Sequence, residues 1–141
     1  MVFEVNVNYW AVLVAAIVSF VIGGLWYSPM LFGKLWMQLS GLTNKDMEAA
    51  KKKGMTKSYI LQFVASLITA CVLAHFISLL NIGTVPELFQ LVFLAWIGFQ
   101  AANTVGMVLW EGKPWSLYLL NTASCLVTLA AMGLTLFWMG A

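Results

Sequence analysis

Among 141 residues there is no arginine, one histidine (His75), two cysteines (Cys71 and Cys125) and three prolines, and only 9% of the chain is charged. Each shortage excludes something. Bidentate recognition of phosphates leans on guanidinium groups, so the missing arginine argues against a nucleic-acid partner. One histidine and two separated thiols give too few ligands for a metal centre, and without a Cys-x-x-Cys pair no thiol redox site is indicated. The five acids, Glu4, Asp46, Glu48, Glu87 and Glu111, stand at the edges of apolar runs or in the one hydrophilic segment. They provide neither the paired carboxylates of a hydrolase nor the intramembrane carboxylate of a proton-coupled carrier. With no phosphate loop or Gly-rich nucleotide fingerprint either, no cofactor and no metal are expected, and no enzyme is indicated.

Apolar side chains are abundant instead. They make up 62% of the sequence, and the mean hydropathy of +0.93 is that of an integral membrane protein. Four apolar runs cover about 8–26, 58–80, 86–110 and 115–139. At 1.5 Å per residue each crosses a hydrocarbon core of about 30 Å, and backbone groups in lipid must pair within a helix. The expected fold is all-α, a four-helix membrane bundle in a single domain over 1–141. The first run has no basic n-region, so it is expected to remain as a helix rather than be cleaved as a signal peptide.

Six of the seven lysines (Lys34, Lys45, Lys51, Lys52, Lys53 and Lys57) fall between residues 27 and 58, and the seventh, Lys113, is in the turn before the last run. The positive-inside rule puts both segments in the cytoplasm and both termini outside.

The stretch GGLWYSPMLFGKLWM (23–37) is where the first run ends. Trp26, Tyr27, Pro29, Phe32 and Trp36 are the aromatics and proline of a membrane-interface anchor. Ser28 followed by Pro29 reads as an N-cap opening an amphipathic interfacial helix, with Leu31, Leu35, Leu39, Phe32 and Trp36 on one side and Lys34, Met37 and Gln38 turned away. Gly41 closes it. Thr43 with Asp46 starts a short polar helix that Gly54 stops, and Thr56 or Ser58 caps the next span. The whole cytoplasmic interfacial segment is 28–57.

Trp26-Tyr27-Ser28-Pro29 with Phe32-Gly33 and Trp36, followed later by Trp96-x-Gly98-Phe99 ahead of Glu111-Gly112-Lys113-Pro114, resembles the bacterial membrane family called domain of unknown function 1761. The resemblance covers nearly the whole chain. It implies a four-helix membrane fold in the bacterial inner membrane and no established activity.

Polar residues inside the spans are the informative ones, because each needs a partner in lipid. Gln62, Ser66 and Thr69 share a face of the second span, as do Trp96, Gln100 and Asn103 on the third and Asn121, Ser124 and Thr128 on the fourth. Counted from the lysine side, Ser66, Asn103 and Asn121 lie roughly 10 Å deep and Thr69, Gln100 and Ser124 roughly 15 Å deep. Two readings stand: a network of interhelical hydrogen bonds, or a pocket for a small-molecule ligand or lipid. His75, on the opposite face with Cys71 and Ser78, reads as a group at an oligomer interface or a proton-linked one. Both cysteines read as buried and inert.

Four short helices cannot cover all their small and polar faces alone, so besides the lipid bilayer a homo-oligomer is expected. The leading function is a non-enzymatic membrane protein whose polar layer is structural or binds a small ligand. A channel or transporter subunit for a small solute or ion is the alternative, and a membrane enzyme acting on lipid or quinone comes third.

Overall fold

The computed structural model describes residues 5–140; Glu4 lies outside them. Among the described residues the chain is helical, with no strand. Helix α1 is Tyr9–Trp26, α2 is Gly33–Ser40, α3 is Asn44–Lys53, α4 is Thr56–Leu79, α5 is Val85–Leu109 and α6 is Trp115–Trp138. Four of them, α1, α4, α5 and α6, are long and apolar enough to cross a membrane.

Local chemistry sets most boundaries. Asn8 caps α1 by accepting from the N–H groups of Trp10 (3.1 Å) and Ala11 (3.4 Å), and its amide donates to the Met139 carbonyl at 3.1 Å. The start of α1 and the end of α6 therefore meet at one end of the bundle, opposite the lysine-rich segment. Gly41 ends α2 at φ 76°, a left-handed backbone that glycine adopts without steric cost. Thr43 and Asp46 form a reciprocal capping box on α3, and Gly54 stops it. Thr84 caps α5, with Pro86 in its first turn.

The helix boundary after α1 differs from the expectation. Ser28 does not cap α2: its hydroxyl turns back to the Leu25 carbonyl at 2.7 Å, and α2 starts only at Gly33, behind Phe32. Residues 26–33 form a tight corner instead, closed by N–H bonds from Phe32 to the Trp26 carbonyl (3.0 Å) and from Gly33 to the Ser28 carbonyl (2.8 Å). Met37, expected to turn away with Lys34 and Gln38, is half-buried, while Leu31 and Leu35 are exposed. The reason is that α2 packs against α6 and so presents the side of Gly33, Trp36 and Met37 inward. Likewise α4 opens at Thr56 behind Met55, without a side-chain cap.

Helix α6 is the hub. It packs against α1, α4 and α5, and α1 also packs along α4. The core lies toward the end where the termini meet, where Ala11 and Ala15 of α1 join Ala70 and Ala74 of α4, Leu88 and Val92 of α5, and Met132 and Leu136 of α6. Alanines at the α1–α4 contact let the backbones approach closely, the usual source of helix association where lipid is as apolar as the side chains. Gly133 does the same for α5: a methyl group there would meet Leu88 and Val92 at 3.2 Å.

Helix α5 is not uniform. Trp96–Ala101 is a π turn, in which the Ala102 N–H reaches back to the Ile97 carbonyl, and the regular helix is interrupted again at Val105. It is the least covered span, with 11% of its apolar window buried against 33% for α6.

Candidate functional site

The polar residues of the spans separate into an inward and an outward set. Inward, Tyr27 at the end of α1 donates from its hydroxyl to Asn121 Oδ1 of α6 at 2.9 Å, with the buried Ser124 hydroxyl alongside. Buried Ser66 of α4 meets the Ser19 hydroxyl of α1 at 3.5 Å, the outer limit of a hydrogen bond. The Trp96 indole donates to the Thr122 carbonyl at 2.7 Å, and the Tyr118 hydroxyl donates to the Ala101 carbonyl at the close of the π turn. Thr128 is half-buried on α6.

Outward, Gln62, Thr69 and Asn103 are exposed and Gln100 is half-buried. Thr69 satisfies its own hydroxyl on the Ala65 carbonyl at 3.1 Å, and Thr104 does so on the Gln100 carbonyl at 2.7 Å. Among the described residues neither the Gln62 nor the Asn103 carboxamide makes such a bond. Gln62 and Asn103 thus stand on membrane-length helices facing away from the bundle. The sequence placed all nine cluster residues on shared faces; the chain brings Ser66, Trp96, Asn121 and Ser124 against neighbouring helices and leaves Gln62, Thr69 and Asn103 at the surface.

Sequence reasoning treated Tyr27 as an interface anchor, named Gly33 only within the family pattern, and passed over Tyr118 and Thr122. A Tyr placed at a span end carries the same signal whether its hydroxyl meets water or a neighbouring helix, so position alone could not separate the two. The other anchor residues build the corner. The Trp26 and Phe32 rings lie 4.7 Å apart, those of Tyr27 and Trp36 meet edge to face at 5.8 Å, and Pro29 is exposed. The Trp26 indole nitrogen is buried there without a partner.

His75 belongs to the opposite end. Its Nδ1 lies 3.7 Å from the Cys71 thiol and 2.6 Å from the Cys71 carbonyl, which can only accept, so Nδ1 is the donor in that bond. The ring lines an open cavity of about 430 Å³ with Asn6, Asn8 and Tyr9. A second, apolar crevice of about 360 Å³ runs between α5 and α6 beside Phe93 and Leu126. Cys71 and Cys125 are both free thiols. Among the described residues no three His, Cys, Asp or Glu side chains converge as a metal site would require. Outside the spans, the backbone N–H and hydroxyl of Thr43 hold the Asp46 carboxyl below the usual aspartate range.

Taken together, the outward and inward groups are amides, hydroxyls and indoles, which bind one another or neutral polar partners. Four membrane-length helices, three of them packed on the fourth, α6, define an all-α, multi-pass membrane protein. The chain belongs to the family described as Protein of unknown function (DUF1761), whose pattern matches residues 10–137. Neither a curated protein nor a solved structure matches it significantly.

Proposed function

We propose that the chain is a non-enzymatic subunit of a homo-oligomer in the bacterial inner membrane, with its termini outside and its lysine-rich segment in the cytoplasm. In this reading the inward polar set holds the bundle together, and the outward set faces either another copy or a small polar ligand between copies. One observation carries it: Gln62 and Asn103 are exposed on helices long enough to span the membrane. A carboxamide facing lipid tails loses its hydrogen bonds to water and gains none, so such groups turn to protein or to a polar cleft.

The test is native mass spectrometry after gentle extraction in a mild detergent, with Gln62→Leu and Asn103→Leu alongside. A defined oligomer that the two substitutions shift toward monomer, together with a reproducible non-lipid ligand if the cleft is a site, supports the reading. A bare monomer under the same conditions counts against it.

A permeation path for a small solute or ion, assembled across copies, is the second reading. Its support is the π turn directly before Asn103, since such turns concentrate at functional sites. The third, an enzyme acting on lipid or quinone, finds no nucleophile–base pair in the outward set.

A further inference from the structure

We propose that the outward face of α2, together with the lysines of α3, is a docking surface for the anionic phospholipid headgroups of its own membrane leaflet. The proposal rests on the four spans and not on the oligomer.

Covalent placement brings this surface to the bilayer. Residues 27–55 join the end of α1 to the start of α4, and both of those helices are long and apolar enough to cross a membrane. The chain itself sets which face of α2 looks outward. The corner closes on N–H bonds from Phe32 to the Trp26 carbonyl and from Gly33 to the Ser28 carbonyl, Tyr27 meets Trp36 edge to face, and α2 packs on α6. That leaves Met30 85%, Leu31 56% and Leu35 42% exposed just beyond the end of α1, with Lys34 exposed among them. Leucines flanking a lysine suit the headgroup boundary, where the apolar groups reach the upper acyl chains and the ammonium stays with phosphate.

Charge selects the lipid. This end of the bundle carries all seven lysines, every one of them exposed, against three acids, Asp46, Glu48 and Glu111. Asp46 is already engaged by the Thr43 cap. Helix α3 has no buried residue, and its last turn is Lys51, Lys52 and Lys53, an ammonium cluster of the kind that gathers anionic headgroups at a membrane surface. A neutral headgroup offers such a cluster no net charge. A second copy is a poor occupant, because it brings the same lysines to the same depth and sets like charges against each other.

The experiment is hydrogen exchange of the full chain in lipid nanodiscs of phosphatidylcholine alone and of phosphatidylcholine mixed with phosphatidylglycerol. The amides of α2 and α3 should exchange at least severalfold more slowly with phosphatidylglycerol present, and added salt should shrink the difference. A variant carrying Lys34→Gln, Lys51→Gln, Lys52→Gln and Lys53→Gln should lose the difference while α4 and α6 stay as protected as in the native chain. Equal exchange in the two lipids overturns the headgroup assignment, and so does a difference that the glutamine variant retains. Protection that follows the number of chains per disc at fixed lipid composition would put a second copy on the face, and protection found in native membrane vesicles but in neither disc would put another protein there; either result overturns the proposal.

Discussion

The Tyr27 hydroxyl and the Asn121 side chain, ninety-four positions apart, are joined at 2.9 Å. Their hydrogen bond ties the corner between α1 and α2 to the hub helix α6, so the segment that turns the chain out of the membrane is fastened to the helix against which every other span packs. The Tyr27 ring meets Trp36 edge to face, which carries the same attachment into α2. One side chain thus couples three helices.

Removing that hydroxyl measures the coupling. Tyr27→Phe should destabilise the detergent-solubilised protein by about 1 kcal/mol, the net worth of one such bond. Asn121→Leu should cost a similar amount, and the double variant little more than either alone, because both delete one interaction. Reversible unfolding of the four proteins gives the cycle. Additive losses would mean that Tyr27 and Asn121 act separately.

Gly33 is fixed by space. A Cβ built on it lies 2.5 Å from the Tyr27 carbonyl oxygen and 2.7 Å from the Ser28 carbonyl, and backbone cannot yield as a side chain does. Gly33→Ala should therefore open the corner and cost on the order of 1–3 kcal/mol, as overpacking does. Gly24→Ala is the control, since nothing lies within 4 Å of its Cβ position and α1 gains a better helix former. Equal melting temperatures for the two variants would remove the packing argument.

Much of this was legible before any coordinates, and the reason differs from feature to feature. Gly41, Gly54 and the Thr43–Asp46 box act within a few residues, so their spacing alone reports them. The spans follow from length and apolarity. Rotation about a helix axis is another matter. Gln62, Ser66 and Thr69 share a stripe, but the line of contact with α1 runs along one edge of it, and only Ser66 falls inside. Ser28-Pro29 has the composition of a cap, yet the tertiary closure of the corner draws the serine hydroxyl to Leu25. The π turn of α5 has no local signature either; Trp96 and Tyr118 brace it through bonds to and from α6.

Acid should act on α3 first. The Asp46 pKa lies below its unfolded value, so its contribution to the helix is complete above about pH 4 and is lost as pH falls through the lowered folded value. Amide protection in the first turn of α3 should drop as the pH falls from about 4 through the lowered Asp46 value, and Asp46→Asn should flatten the profile. Protection that is unchanged over that interval in the native protein would show that the capping box does not hold the helix.

Gly133 tests whether α5 depends on α6. Its Cβ position lies 3.2 Å from Leu88 Cδ1 and Val92 Cγ2, side-chain methyls rather than backbone. Gly133→Ala should be absorbed at a cost of about 1 kcal/mol or less, while Gly133→Leu should wedge the helices apart. Because α5 packs mainly on α6, hydrogen exchange in Gly133→Leu should quicken along α5 and leave the α1–α4 contact protected. A uniform loss across all spans would instead make the four helices a single cooperative unit.

The orientation expected from charge can be read directly. In a background without Cys71 and Cys125, Lys52→Cys lies in the exposed lysine run of α3, and Asn81→Cys in the exposed turn between α4 and α5, at the opposite end of α4. If the positive-inside rule sets the topology, a membrane-impermeant maleimide added to intact cells should label Asn81→Cys at once and Lys52→Cys only after permeabilisation. Neutralising Lys51, Lys52 and Lys53 together should weaken that bias, since they are three of the six lysines between residues 27 and 58 and the turn before α6 holds only Lys113. The reverse labelling pattern would put the lysine run and the Tyr27 corner outside, and with them the half of the bundle in which Gln62 and Asn103 are exposed.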